Sequence, residues 1–358
     1  MVYTKPLIGI IGSKGKYGRF LKRLFLAYGC EVIGADAQDG PNVDERNRAV
    51  VEQANVVIFS VPPRVVEGVI KALIAHSRPE QLWMDVTSIK VIPVSAMLTS
   101  RAEVVGLHPM RAPGESLAGH VVAVCPERLD LWKSWTADFL AWTGARLKFC
   151  TPEEHDRKMA VVQGLVHAMQ LTMAATIRSL DEDVHETLSF TSPVYRIALS
   201  LIGRILQQNA DLYADIQMLN PHVPQVLSQA ETELHRLRET VIAQNHELFV
   251  QQFVASREHF GSEDLNDAFA LFEELNQLLA ARSSERQVCL QTREDRPALL
   301  RDITDLFAEG DINLTHIHSF EAAQGHRFLV GLDRPREDPA VQAALARIAE
   351  RGLASEME

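Results

Sequence analysis

The chain has 358 residues, more than one ordinary core accommodates, so two or three domains are expected. Hydrophobic residues make up 46% and charged residues 23%, a globular composition whose apolar runs fall short of a membrane span. A net charge of −11 argues against nucleic acid as the main partner and leaves small anions open, because local arginines decide those.

The first 36 residues carry the strongest signal. Leu7 to Ile11 form a short apolar run, and Gly12-Ser13-Lys-Gly15-Lys16-Tyr17-Gly18 makes a glycine loop. An amphipathic segment follows, with Phe20, Leu21, Leu24 and Phe25 on one stripe, and then Glu31 to Asp36. Strand, glycine turn, helix, strand and terminal acid spell a dinucleotide-binding unit. Glycines let backbone N–H groups approach a pyrophosphate, and the helix N-terminus adds its dipole. Asp36, 18 residues after Gly18, is placed to accept hydrogen bonds from the adenosine ribose, which favours NAD over NADP. Ser13 stands where the usual pattern has its first glycine. Residues 7–11 run into glycine and lysine rather than a cleavage site, so no secretory leader is read there.

Across residues 1–150, strand-like runs at 6–11, 31–36, 55–61, 82–87, 102–107, 120–125 and 146–149 alternate with helical periodicity. This predicts a doubly wound, Rossmann-type parallel sheet. Two polar clusters fall at strand ends, where ligands of open α/β sheets collect: Asp85-Val-Thr-Ser88-Ile-Lys90 and Gly106-Leu-His108-Pro-Met110. A histidine there can draw a proton from an alcohol at neutral pH; the alternative is a turn histidine capping the strand.

From Thr151 the texture changes to long helices, roughly 152–180, 191–208, 222–258 and 263–282, with Thr151-Pro-Glu-Glu as a helix cap. Such apolar stripes suit burial against a second copy, so a homodimer is expected; packing within one chain would satisfy the same pattern. His167 lies on a mostly apolar face, and Arg204 follows Arg196 by eight residues on nearly the same stripe. A guanidinium can clamp a carboxylate with two parallel bonds; structural ion pairing is the competing role. Residues 281–286, including Ser283 and Ser284, read as a linker. Beyond it, strand 287–292, helix 297–309, strands 312–319 and 326–332 and helix 338–350 suggest a small ferredoxin-like α+β unit whose last strand is poorly supported. The divisions are therefore 1–150, 151–282 and 286–358.

No metal site is expected. There is no His-x-x-x-His, His155 and His167 diverge on an ideal helix, and His316 and His318 supply only two ligands. Cys30, Cys125, Cys150 and Cys289 form no Cys-x-x-Cys pair, in keeping with a reducing cytoplasm. No Gly-x-Ser-x-Gly nucleophile elbow is present.

Gly15-Lys-Tyr-Gly18, Ser60-Val61-Pro62, Asp85 to Lys90, Gly106 to Met110, Glu154-His-Asp156 with His167, Ser192-Pro-Val-Tyr-Arg196, Gly203-Arg204 and Leu212 to Ile216 together resemble the prephenate dehydrogenase family. The likeness runs over residues 6–280. Asp295-Arg-Pro-Ala-Leu299 and Ile312 to Ser319 resemble an ACT domain, a module that binds small effectors, often amino acids.

The resemblance implies oxidative decarboxylation of prephenate to 4-hydroxyphenylpyruvate with NAD, on the route to tyrosine. It implies His108 as proton acceptor from the 4-hydroxyl, Ser88 orienting it, Arg204 on a carboxylate and His167 lining the pocket. Lys90 and Arg196 would support the substrate site, with His155 a secondary helper. Gly12, Ser13, Gly15, Lys16, Tyr17, Gly18, Asp36, Ser60, Val61 and Pro62 would hold NAD. Tyrosine is the expected effector. Arogenate dehydrogenase, or an enzyme using both substrates, is the near alternative. A β-hydroxyacid dehydrogenase with Lys158 as base and a non-catalytic NAD and amino-acid sensor are the distant ones. The chain departs from the family's Phe-Gly-Pro after His-Pro-Met, having Arg111-Ala-Pro113, so Arg111 is a possible further carboxylate contact. It also has Ala298 where the ACT turn usually has glycine.

Overall fold

A computed structural model describes residues 5–114, 116–282, 285–292, 294, 296–321 and 325–357. Ser283, Ser284 and Asp295, named above, lie outside the described residues. The chain forms two compact units, Met1–Ala243 and Gln244–Glu358.

The first unit opens with β1 (Ile8–Ile11), α1 (Lys16–Ala27), β2 (Val32–Ala35), α2 (Val43–Gln53), β3 (Val56–Phe59), α3 (Pro63–Leu73), β4 (Leu82–Asp85), α4 (Val91–Leu98), β5 (Glu103–Pro109), β6 (Val121–Arg128), α5 (Lys133–Trp142) and β7 (Arg146–Phe149). They build a seven-stranded sheet in the order β2-β1-β3-β4-β5-β6-β7. Its central strands β1, β3, β4 and β5 are buried on both faces, as their near-continuous apolar runs require, while the edge strand β7 is largely exposed. Ile8, Ile10, Val56, Ile58, Leu82, Met84, Val105 and Leu107 point into one core with Phe25, Trp135 and Phe139. The alternate residues Ile11, Val57, Phe59, Trp83 and Val104 enter the opposite core with Val66, Ile70 and Met97.

The sheet departs from the all-parallel expectation at one seam. β5 and β6 pair antiparallel, His108 opposite Ala123, while every other pair is parallel. The cause is the connection 110–120, which is short and carries no helix among its described residues; a parallel return needs a crossover of about a dozen residues or more.

At the glycine loop, Gly12 has φ +89°, and a Cβ there would lie 2.5 Å from the Ser60 carbonyl oxygen. A Cβ on Gly18 would lie 2.1 Å from the Gly12 carbonyl oxygen. The loop is thus pressed against the end of β3. Ser13 is tolerated in the glycine pattern because its neighbour on β2 is Gly34: a Cβ there would lie 2.5 Å from Ser13 Cβ.

Helices complete the unit: α6 (Pro152–Met159), a π-helical stretch Ala160–Leu165, α7 (Val166–Ser179), α8 (Val184–Ser189), α9 (Pro193–Leu206), α10 (Ala210–Leu219) and α11 (Val223–Ile242). Thr151 caps α6 as expected, its hydroxyl accepting the Glu154 N–H at 3.1 Å. The short helices α8 and α10 are additions to the reading above. The run Pro152–Ser179 corrects another expectation: by length and composition it is apolar enough to cross a membrane, and only 11% of that apolar window is buried.

The expected helix 222–258 is broken. Gln244 takes φ +50°, a left-handed conformation no helix can pass through, and α12 (His246–Phe260) begins the second unit under an Asn245 cap. After α13 (Ser262–Arg282) come β8 (Gln287–Gln291), α14 (Leu299–Glu309), β9 (Leu314–Glu321), β10 (His326–Leu332), α15 (Pro339–Glu350) and β11 (Ser355–Met357). The sheet is small and antiparallel, in the order β11-β8-β10-β9, over a core of Leu290, Ile303, Phe307, Phe328, Val330 and Ile348. The weakly signalled final strand does form, as three residues on β8. Ala298 sits before α14 at φ +67°, where glycine is at home and alanine is strained.

Gly34→Ala is expected to destabilise the protein by about 1–3 kcal/mol through the Ser13 clash. Ser13→Gly in the same chain is expected to recover most of that loss. Urea midpoints of the two single variants and the double variant measure the coupling; additive losses would show that Ser13 and Gly34 do not compete for one space.

Candidate active site

The carboxyl ends of β1 to β5 gather most of the residues singled out from sequence. Asp36, just past β2, is buried and oriented by the backbone: Oδ1 accepts the Gln38 N–H (2.9 Å) and Oδ2 the Lys14 N–H (2.8 Å). Each oxygen keeps a lone pair for a further donor. Ser60, ending β3, holds a buried hydroxyl with no hydrogen-bond partner. A glycine cradle that a Cβ would fill, an oriented carboxylate and an orphan hydroxyl fit a dinucleotide.

After β4, Asp85 and Lys90 are fully buried against each other in an ion pair. Asp85 also accepts the Thr87 hydroxyl at 2.7 Å. Burial outweighs the lysine and pushes the Asp85 carboxyl up. Lys90, expected among the substrate contacts, therefore has no exposed surface to offer a ligand; its charge is spent on Asp85. Ser88 is half-buried between them.

His108, 4% exposed, is the penultimate residue of β5. Its Nδ1 lies 2.9 Å from His155 Nε2, and His155 Nδ1 lies 2.7 Å from Asp156 Oδ1. Asp156 also accepts the Lys90 N–H (2.8 Å) and the Val91 N–H (2.9 Å), the start of α4. Asp156, an acceptor already held by backbone donors, faces the His155 Nδ1–H, which turns His155 Nε2 toward His108 Nδ1. An uncharged His108 that gives its Nδ1–H to His155 keeps the Nε2 lone pair free. Burial, then His155, then Lys90 hold the His108 imidazole well below its usual range, so it stays uncharged.

His155 was read from sequence only as a helper, yet it is the group that orients His108. A signal was present. Pro152, His155, Asp156 and Met159 are the buried face of α6, so two polar residues occupy the stripe an amphipathic helix reserves for apolar ones.

The helical part contributes a second cluster. His167 on α7 packs on Tyr213 at 4.7 Å between ring centroids, and its Nδ1 is buried without a partner. Burial, and then the Arg204 charge, lower its pKa. Arg204 and Arg196 are both exposed on α9. A contact not signalled by sequence ties this part to the sheet: Arg64, opening α3, reaches Asp211 and the buried Asp215 of α10, each at 3.3 Å. Among the described residues no cluster of three metal-ligating side chains occurs.

Two family models match the chain: the prephenate dehydrogenase nucleotide-binding domain over residues 30–148 and the prephenate dehydrogenase dimerization domain over residues 151–255. The probable arogenate/prephenate dehydrogenase of Methanocaldococcus jannaschii is 35% identical over 302 residues, covering 78% of this chain and 68% of that protein. The chain belongs to the prephenate dehydrogenase family. The T-protein of Haemophilus influenzae is 30% identical over 285 residues, covering 78% of this chain and 73% of that protein. The T-protein of Enterobacter agglomerans is 34% identical over 217 residues, and the chain spans 56% of its length. In fold, the chain is similar to Aquifex aeolicus prephenate dehydrogenase in complex with hydroxyphenyl propionate and NAD+. The TM-score is 0.56 at 19% identity, over 73% of this chain and all of that one. NAD is the cofactor of the family's site, and the cradle, Asp36 and Ser60 are the residues here that fit it.

A reaction that uses the His108 lone pair is expected to keep its rate as pH falls past ~6.5, the ordinary imidazole value. The acid limb of kcat/KM should appear only below that. His155→Phe removes one cause of the depression and the orienting bond, so the limb should move up and kcat should fall. A pH profile unmoved by His155→Phe would separate His155 from the proton acceptor.

Proposed function

We propose that the protein oxidises prephenate with NAD, releasing CO2 and 4-hydroxyphenylpyruvate, in tyrosine synthesis in the cytoplasm. The observation that carries this reading is the buried His108, held uncharged and oriented through its contact with the His155–Asp156 pair. A substrate alcohol needs an acceptor of that kind as its carbon is oxidised. The glycine loop with Lys16 and Tyr17, Asp36, and Ser60-Val61-Pro62 would hold the dinucleotide. NAD, when bound, takes the hydride from C4.

In this reading His108 Nε2 accepts the 4-hydroxyl proton and Ser88 orients that hydroxyl. Arg204 clamps a carboxylate, and His167, uncharged and with an orphan nitrogen, lines the pocket beside it. Arg196 supports the α9 stripe. Aromatisation of the ring supplies driving force once hydride and CO2 leave, so the protein's work is placement and removal of one proton.

The Methanocaldococcus jannaschii relative is named for arogenate as well as prephenate. Arogenate, with an amine in place of the keto group, is therefore the second reading.

We read residues 1–150, 151–282 and 286–358 as cofactor, substrate and regulatory parts. A homodimer is supported by the apolar residues left exposed on the helical part, among them Val162, Val166, Leu180 and Phe190. A ferredoxin-like, ACT-type regulatory unit answering to tyrosine is supported by the β-α-β-β-α-β order of the last part and its strand order.

The test is NADH absorbance on mixing protein, NAD and either prephenate or arogenate; the faster compound names the substrate, and silence with both rejects the reading. His108→Asn should abolish turnover with NAD affinity retained, while equal loss of both would contradict an acceptor role. Arg204→Gln should raise the substrate KM about tenfold or more, as expected for a lost charge-assisted pair. An unchanged KM would remove Arg204 from the pocket.

A further inference from the structure

We infer that Arg111 is a second carboxylate-binding residue, gripping one of the substrate's two carboxylates while Arg204 holds the other; the inference rests on the dehydrogenase reading above. Arg111 lies three residues past His108. β5 ends at Pro109, and Met110 still donates to the Val121 carbonyl at 2.9 Å, so residue 111 is the first to leave the sheet. It does so at the edge where the glycine loop and His108 stand.

The loop is built around its guanidinium. Nη1 donates to the Ser116 carbonyl (3.0 Å) and meets His120 Nε2 (2.7 Å). Gly114 is flattened against the other side of the head: a Cβ there would lie 2.6 Å from Nη2 and 3.1 Å from Nε. The Arg23 side chain, from α1, holds the Gly114 carbonyl at 3.3 Å. These contacts fix the head through Nη1 alone. The Nε and Nη2 hydrogens have no acceptor among the described residues, and no carboxylate of the described chain pairs with this charge.

An Nε–Nη2 edge presents two parallel N–H groups, the geometry that takes a carboxylate by two hydrogen bonds. A half-buried, already ordered guanidinium also loses little side-chain freedom when it binds. Its field reaches the glycine loop, because the Tyr17 phenol, raised by burial, is pulled back by Arg111. The Tyr17 hydroxyl is buried without a partner in the same neighbourhood. An ordered cation with no carboxylate partner among the described residues, three residues past His108 and close enough to act on Tyr17, therefore suits an anion, and prephenate and arogenate each carry two carboxylates.

The experiment measures KM for the substrate and for NAD in wild type, R111Q and R111K, with prephenate and with arogenate. R111Q is expected to raise the substrate KM about tenfold or more and to leave the NAD KM within about twofold. R111K keeps the charge without the fork and is expected to recover only part of the loss. The unchanged NAD KM shows that the loop still folds. Three results would overturn the inference: an unmoved substrate KM in R111Q, a parallel rise in the NAD KM, or an R111K variant equal to wild type. If wild type produces no NADH from either compound, the dehydrogenase reading fails first, and that outcome is separate from the other three.

Discussion

The Asp156 carboxylate is the constraint on which the site depends. It sits on α6, yet it accepts the first N–H groups of α4, thereby fastening the helical part to the end of β4. The same Oδ1 meets His155 Nδ1, and His155 Nε2 meets His108 Nδ1. Its backbone is used as well: the Asn220 side-chain amide donates to the Asp156 carbonyl at 2.7 Å. One side chain thus sets a helix start, a domain junction and the orientation of His155. Because these functions share atoms, the geometry of the proton acceptor cannot drift independently of the packing of α6 on the sheet.

The second constraint is charge balance in a dry place. Lys90 and Asp85 are fully buried, and breaking such a pair by removing one partner costs about 3–5 kcal/mol, because it strands the other charge. The pair is admitted by Gly106 on β5, whose missing Cβ leaves room for Lys90 Cδ and Asp85 Oδ1 at 3.0 and 3.2 Å. The buried ammonium also bears on His108, disfavouring a second positive charge. Burial does most of that work, and His155 and Lys90 add to it in the same direction. A histidine held uncharged is a poor electrostatic anchor but a ready acceptor, and that suits His108 to taking a proton rather than to holding an anion.

Much of this was legible in sequence because it follows from periodicity and spacing. The runs rich in Val and Ile marked the strands of the first sheet, and the glycine spacing with Asp36 marked the cradle. What stayed hidden was decided by contacts between distant segments. The antiparallel seam at β5–β6 depends on a connection without a helix, which strand propensity does not register. The break between α11 and α12 depends on a single left-handed residue, Gln244, in an otherwise helical stretch. Lys90 was placed at the substrate site by the family resemblance alone; only the structure pairs it, fully buried, with Asp85. The His155 role was discoverable from the polar residues on the α6 stripe, but its partner His108 lies 47 positions away.

The Pro152–Ser179 run brings these threads together. Its first turns are buried through polar residues, His155 and Asp156, and its later turns expose Val161, Val162, Val166 and Met169. That inverts the usual amphipathic plan, in which polar groups face water. A π-helical stretch at Ala160–Leu165 lies between the two regimes, and Gly164 there gives close passage to Val223 of α11, whose Cγ2 would be 2.6 Å from an added Cβ. A π turn takes in an extra residue and so rotates the residues beyond it relative to a plain helix. His167 is turned onto Tyr213 and toward Arg204, while the apolar residues are left on a separate face. In a proposed dimer a second copy covers that face, and the inverted helix becomes an ordinary one, with polar groups satisfied at the sheet and apolar groups buried between chains. In that proposed dimer, His167 and the covered apolar residues lie on two faces of one helix, and the π stretch sets the angle between them.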